Sequence, residues 1–385
     1  MTIEQPEIPL GEAFAGFEVF EVGGGPRDRV RGVGRSDVDL LAAPRPGEVS
    51  DPVGVLEARM TRIDPEDSFP VFIDSEGREV ALPRTEESTG QGFHDFDVSL
   101  VPPGTPVREA VEIDLERRDL SINAIAQNAR TGEVIDPFGG VEAINEGIIE
   151  PVSDAFSEDP LRVVRMARFT ARLLGADPTD EAVRVARETA TNLDAVPVER
   201  FTMELRKGLK QADEPSEMFA VLDRVDAVEA TFPSLSVVAA DLSLVDCVES
   251  PKARLAALGI EGDAQVLVET QALTNDEGRA VGHADRLTHA LATNPTNIEL
   301  VEIASQLDSE SKGLSITQAA ELTSARSGRS QARIEADLRA AREAIESVSG
   351  RDVMNILGIE PVDIGDSISG DQFGQKLREL RAKAV

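Results

Sequence analysis

Tryptophan and tyrosine are absent from this 385-residue chain, and cysteine occurs once. A lone thiol, Cys247, excludes intrachain disulfides and cysteine-built zinc sites. It reads as a small buried apolar residue. The three histidines, His94, His283 and His289, are too few and too scattered to suggest a histidine-built site. Lysine is scarce as well, with none before Lys207, so the basic residues are mostly arginine. No apolar run approaches the roughly 18 residues needed to cross a membrane. The N-terminus has no basic-then-apolar signal, and a cytoplasmic chain is expected.

What the chain has in excess is acid. Its 71 Asp and Glu against 39 Lys and Arg give a formal net charge of −32. For a nucleic-acid binder that balance is a contradiction at ordinary salt, since phosphate contacts need a positive surface. Hydrophobic content of 41% is enough for a folded protein. The length implies roughly two to four modules.

The stretch from Val22 to Leu40 organises the rest. Gly23, Gly24 and Gly25 follow the apolar run Phe17 to Phe20, where a strand ends and a helix begins. Glycines there let backbone N–H groups approach a triphosphate, and a following helix N-terminus favours anions. Arg27 adds a positive charge, and Pro26 is tolerated in a first helical turn. Further on come Asp37, Val38, Asp39 and Leu40. On a strand, residues two apart share a face, so Asp37 and Asp39 point together while Val38 and Leu40 point into the core. Paired hard carboxylates suit a divalent cation, and a two-metal site activates a hydroxyl and stabilises a leaving pyrophosphate. An exposed acidic strand end is the plainer alternative.

Several later segments also carry chemistry. Pro70–Asp74 and Arg78–Leu82 flank Ser75-Glu76-Gly77 and read as a hairpin. Arg84 to Gly92 is polar and Gly-bearing, a surface loop on its own terms. Arg117-Arg118-Asp119 with Asn123 offers donors for phosphate and groups able to meet ribose hydroxyls; a salt-bridged helix start is the alternative. Asp136-Pro137-Phe138-Gly139-Gly140 ends a strand in a turn. Ser157 reads as the N-cap of a helix with Asp159 in its first turn. Along that helix Arg162, Arg165, Arg168 and Arg172 make one basic stripe, solvated or site-facing.

The glycine turn followed by Asp-x-Asp resembles the nucleotidyltransferase superfamily that includes DNA polymerase beta. With Arg-Asp after the glycines it resembles a narrower group, the class II (bacterial-type) tRNA nucleotidyltransferases that add CCA ends, and the related bacterial poly(A) polymerases. The run Arg117 to Ala124, Glu158-Asp159-x-x-Arg162 and Val196 to Leu209 are similar to further motifs of that family, and the likeness extends from Phe17 to about Leu235.

The resemblance implies an α+β fold: a polymerase-beta-like head with a mixed β-sheet and flanking helices, followed by an all-helical neck, body and tail. The expected boundaries are 1–140, 141–235, 236–345 and 346–385. It implies that Asp37 and Asp39 hold two magnesium ions, with Glu79, five positions before Arg84, as the third carboxylate. Gly23, Gly24, Arg27, Arg118, Asp119 and Asn123 are expected to handle triphosphate and ribose. Asp159 and Arg162, with Arg165 and Arg168 on the same helix, are expected to read the base as a protein template. The Arg84–Gly92 loop is similar to the one that helps the switch from C to A addition. The implied function is CCA addition to the tRNA 3′ end and acceptor stem from CTP and ATP, with no membrane or obligate protein partner. Poly(A), CC-only or A-only addition and a retired RNA-binding module are the alternatives.

Some family members carry a phosphohydrolase domain marked by His-Asp pairs. None occurs beyond Leu235, and His283 and Asp285 do not restore it, so no phosphatase activity is expected. The acid excess resembles that of extreme halophiles, where repulsion is screened within about 3 Å at molar salt.

Overall fold

The computed structural model describes residues 6, 8–34, 38–63, 69–88, 96–173, 175–235, 242–307, 313–357 and 369–385. They fall into two compact units, Met1–Arg200 with Arg224–Ala227, and Phe201–Asp223 with Val228–Val385.

In the first unit β1 (Phe17–Val22) runs into α1 (Gly24–Val30) and returns as β2 (Asp39–Pro44). There follow α2 (Pro52–Glu57), β3 (Thr61–Arg62), β4 (Val71–Ile73) and β5 (Glu79–Ala81). These strands join β8 (Ala126–Asn128) and β9 (Val134–Ile135) in a seven-stranded sheet ordered β3-β4-β5-β2-β1-β8-β9. The sheet is mixed, for β2 and β5 are parallel while β1 pairs antiparallel with both β2 and β8. β4 and β5 form the expected hairpin.

Period-2 alternation explains why the sheet is covered on both faces. Phe17, Val19, Leu40, Ala42, Phe72 and Val80 pack on one side with Leu56 of α2. Phe20, Val22, Leu41 and Ala43 pack on the other with Val111 and Leu115 of α3 (Val107–Glu116).

Part of the expected polar loop is a strand. Residues β6 (Arg84–Ser88) pair antiparallel with β7 (Phe96–Leu100) in a separate two-stranded sheet. A partner strand about ten residues away supplies the ladder that local composition does not reveal; Thr89 to Gly92 of the expected loop lie outside the described residues. The Asp136 carboxylate accepts from the N–H groups of Gly140 (2.7 Å) and Val141 (2.9 Å) and so starts α4 (Gly140–Glu146). Next come α5 (Leu161–Arg172), α6 (Asp180–Ala190) and α7 (Val198–Gln211). α5 begins later than the sequence suggests. Residues Asp154–Glu158 form a 3-10 turn, Asp159 is extended, and its Oδ1 accepts from Leu161 N at 3.1 Å.

The described part of the second unit is helical, and Cys247, expected to be buried, is exposed where it ends the short helix Ser243–Asp246. Four of its helices open with a capping box, in which a Ser or Thr and the Glu or Gln three residues on satisfy each other's backbone donors: Thr274/Glu277, Thr296/Glu299, Ser315/Gln318 and Ser369/Gln372. The buried Arg254 guanidinium ties this unit internally by donating to the carbonyls of Val248 (2.7 Å), Leu209 (2.8 Å) and Ala212 (2.7 Å). Among the described residues no helix is long and apolar enough to cross a membrane.

Candidate nucleotide-binding and catalytic site

Strand register builds the site. Val22, the last residue of β1, lies opposite Asp39, and Asp39 lies opposite Glu79. The glycine turn, Asp39 and Glu79 therefore meet at one end of three adjacent strands. Paired residues share a face, so the two exposed carboxylates stand side by side. Asp37 lies outside the described residues. Gly23 has φ +70°, a left-handed conformation that glycine adopts without strain. A Cβ there would stand 3.2 Å from Arg118 Nη1. Gly24 and Gly25 form the first turn of α1, with Pro26 third in the helix.

Beneath the turn lies a connected set of buried charges. Arg27, 3% exposed, donates from Nη1 to Asn123 Oδ1 (2.6 Å) and from Nε to Asp28 (3.0 Å), and lies 5.0 Å from the Phe169 ring centre. Burial pushes its pKa down to about 10 despite the attraction of Asp28, and Arg172 adds to the lowering. Asp28 is held in turn by Arg172 at 2.9 Å, which binds α1 to α5. On the other side of α1, Arg29 pairs with the fully buried Glu21 and donates to Gln127 at 3.0 Å.

Arg118 donates to Asn123 O at 3.3 Å and to Asp114 Oδ2 at 3.0 Å. Its Nε is buried and has no partner among the described residues. A guanidinium with its Nη1 against the glycine turn and its Nε unpartnered is suited to an anionic oxygen. Asp114, fully buried, also takes Arg117, which reaches Glu86 of β6 at 2.7 Å. Burial would raise the Asp114 pKa, but the two arginines hold it below the ordinary carboxylate value.

The two carboxylates expected to meet ribose and base differ in their bonding. Asp119 Oδ1 accepts from Leu120 N (2.9 Å) and Asn123 Nδ2 (3.1 Å), and Oδ2 from Arg165 Nε (2.8 Å) and Nη2 (2.7 Å). Burial opposes its ionisation, but Arg165, Asn123 and Arg162 together bring the pKa down to about 2. Asp159 is paired with Arg200 of α7, Nη2 to Oδ2 at 2.9 Å and Nη1 to Oδ1 at 3.4 Å.

The arginines of α5 do not form one solvated stripe. Arg162 turns inward to the carbonyls of Arg117 (2.7 Å), Ala155 (2.8 Å) and Arg118 (3.4 Å). Arg165 clasps Asp119, Arg168 is buried 4.0 Å from the Phe169 ring centre, and Arg172 reaches Asp28. Gly23, Gly24, Arg27, Arg118, Asp119, Asn123 and the α5 residues are thus joined through shared partners, with Asp39 and Glu79 at the adjoining strand ends. Sequence reasoning missed Glu21 and Asp114, and marked Arg200 only as part of the Val196–Leu209 motif, without a partner. Only Asp114 left a local sign, its spacing of three and four from Arg117 and Arg118.

The chain is similar to known proteins in the segments that build this site. The family model "Poly A polymerase head domain" matches residues 19–150. The Multifunctional CCA protein of Chromobacterium violaceum is 38% identical over 221 residues, 57% of this chain and 51% of that protein. Its namesake in Burkholderia pseudomallei strain 1106a is 32% identical over 299 residues, 74% of this chain and 69% of that protein. The chain spans about half the length of the curated relatives it matches at 37–38% identity, 51–52% in each case. In fold it is similar to the crystal structure of the Bacillus stearothermophilus CCA-adding enzyme in complex with CTP. That match has a TM-score of 0.70 at 23% identity over 96% of this chain and 89% of the other.

Proposed function

The chain belongs to the family of multifunctional CCA proteins, and from that membership we propose that it is a template-independent RNA nucleotidyltransferase adding CCA to the tRNA 3′ end from CTP and ATP. One observation carries the reading: the Gly23 turn, the Asp39–Glu79 register and the Arg27–Asn123–Arg118 set converge at one end of the sheet. The boundaries assigned are 1–140 for a catalytic head, 141–235 for a neck, 236–345 for a body and 346–385 for an RNA-facing tail.

Asp39 and Glu79 offer oxygen donors of the kind that suit magnesium, and two ions are assigned to them together with Asp37, two positions before Asp39 in the sequence. Bound there, magnesium would supply Lewis-acid charge and ease ionisation of the attacking hydroxyl. The chain's own residues do the rest. Gly23, Gly24, Arg27 and Arg118 bind the triphosphate and balance charge on the departing pyrophosphate. Asn123 and Asp119 order the ribose side. Asp159 presents the base-reading surface, with Arg162, held to the carbonyls of Arg117 and Ala155, and Arg165 and Arg168 behind it. The RNA 3′-oxygen bonds to the α-phosphorus as the bond from that phosphorus to pyrophosphate breaks, and the hydroxyl proton leaves to water.

The acid-rich surface fits work in the cytoplasm of a cell with molar internal salt, where the tRNA 3′ end and acceptor stem are the partner. Poly(A) addition is the second reading, favoured by the name of the matching head-domain family. The test is incorporation of α-labelled CTP and ATP into a tRNA transcript lacking CCA, with magnesium and high KCl, resolved by single nucleotides. A product stopping at three added nucleotides and needing both substrates is expected. A long ladder from ATP alone means poly(A) synthesis, and no extension by a folded chain removes the enzyme reading.

A further inference from the structure

We propose that Arg200 is a positioning residue for base selection, which acts by fixing the one open acceptor position of Asp159. The inference rests on the nucleotidyl-transfer reading for its choice of ligands. A carboxylate offers about four lone-pair positions. At Asp159, among the described residues, three are taken: Leu161 N and Arg200 Nη1 on Oδ1, at 3.1 and 3.4 Å, and Arg200 Nη2 on Oδ2, at 2.9 Å. One position remains, on Oδ2, and the side chain is 15% exposed. Asp119 stands in contrast, with all of its positions filled. Of the two carboxylates, Asp159 alone accepts a further N–H without losing a bond it already makes.

A single anionic acceptor has a definite chemical preference. Cytosine and adenine both carry an exocyclic amine on the Watson–Crick edge, where uracil and guanine carry a carbonyl oxygen. An amine donates to the open lone pair, whereas a carbonyl oxygen is repelled by it. One carboxylate therefore favours the two bases needed only while its open lone pair is aimed at the C4 position of a pyrimidine or the C6 position of a purine; guanine, whose N1 and N2 donors lie elsewhere on that edge, is turned away only if the carboxylate plane is fixed.

Leu161 N holds one oxygen only and leaves the carboxylate free to turn. The fork of Arg200 holds both oxygens, and its planar geometry decides where the open position points. Arg200 lies 41 residues beyond Asp159, on a different helix from the one Asp159 caps. It is 20% exposed and acts on the base only through Asp159.

The test uses the full chain with R200Q, R200K and D159N, each checked for folding by circular dichroism. Equilibrium binding of CTP against UTP, and of ATP against GTP, is measured with calcium in place of magnesium, followed by single-nucleotide incorporation. R200Q is expected to lower both discrimination ratios by roughly tenfold to a hundredfold, the scale of misplacing a contact by about 1 Å. The loss should fall on KM more than on kcat, with partial recovery in R200K. In a D159N background, R200Q should add no further loss of discrimination. Unchanged ratios in folded R200Q, or an additive loss on top of D159N, overturn the proposal. If the parent chain discriminates in binding but transfers nothing, the transfer reading fails while the Arg200 result still decides this one. If the parent does not discriminate at all, the positioning role is refuted.

Discussion

Gly139 and Gly140 are adjacent, yet alanine should act on them by different routes. Gly139 has φ +69° and open space where a Cβ would go. Gly139→Ala then costs only left-handed backbone strain, about 1 kcal/mol. Gly140 has no such conformation, but its Cβ would stand 2.2 Å from the backbone oxygen of Ser121 and 2.9 Å from Ile125 Cγ1. Backbone cannot swing aside as the end of a side chain does, and both neighbours are buried. The start of α4 must therefore separate from the Ser121–Asn123 turn by about 1 Å to restore ordinary contact. Overpacking of this kind costs about 1–3 kcal/mol. A gain of at most about 1 kcal/mol from alanine's helix preference does not cancel it.

The displaced turn also carries Asn123, whose Oδ1 accepts from Arg27 and whose carbonyl accepts from Arg118. Gly140→Ala should therefore lose both stability and nucleotide affinity, while Gly139→Ala loses a little stability and no affinity. With no tryptophan in the chain, the assay is urea unfolding followed by far-ultraviolet circular dichroism, paired with the KM for CTP. If Gly140→Ala matches Gly139→Ala in both midpoint and KM, the close approach is not the constraint argued here.

Asp119 predicts an acid transition. Its folded pKa of about 2 lies below the ordinary 3.8, so its contribution is present above pH ~4 and is lost as pH falls through ~2. The difference corresponds to about 2 kcal/mol, and Asp119→Asn should flatten the dependence of the urea midpoint on pH across that window. A variant with the parent's slope would place the acid sensitivity elsewhere. Asp39→Asn should reduce transfer by about a thousandfold, about 4 kcal/mol, while triphosphate binding in calcium persists. Measured transfer within tenfold of the parent would remove Asp39 from the chemistry. Phe72, fully buried against the sheet face that packs α2, should cost about 3–5 kcal/mol as alanine, read as a lowered midpoint in the same urea assay.

What was legible in the sequence was local. Apolar alternation ending in glycine announced β1 and the α1 turn, and Ser75-Glu76-Gly77 announced the β4–β5 hairpin. The α5 arginines were visible, but not where each one goes. Spacing alone reads Arg162, Arg165, Arg168 and Arg172 as one stripe, whereas they meet backbone carbonyls, Asp119, the Phe169 ring and Asp28 respectively. Arg27 meets Asn123 across 96 positions and Arg172 meets Asp28 across 144. Such pairs leave no periodic trace, because neither partner's neighbours in the chain respond to the other. The strand at Arg84–Ser88 was hidden for a related reason. Its residues have poor strand character, and the ladder comes from Phe96–Leu100.

The same long-range pairs resolve the conflict between an acidic chain and an anionic substrate. Net charge is a property of the whole surface, and at about 0.1 M salt a charge is felt over only ~10 Å. Under the glycine turn Asp114 is paired with two arginines and Asp28 with three, while Glu21 and Asp119 are each paired with at least one, so no acid in this set stands uncompensated. The Arg118 Nε adds a buried donor with no acid assigned to it among the described residues. No lysine precedes Lys207, so the cations here are arginines. A guanidinium stays charged on burial and grips two oxygens in one plane, whereas a buried ammonium readily loses its proton. The site keeps its positive character inside an acidic protein because its cations are buried, paired and of the one kind that burial does not neutralise.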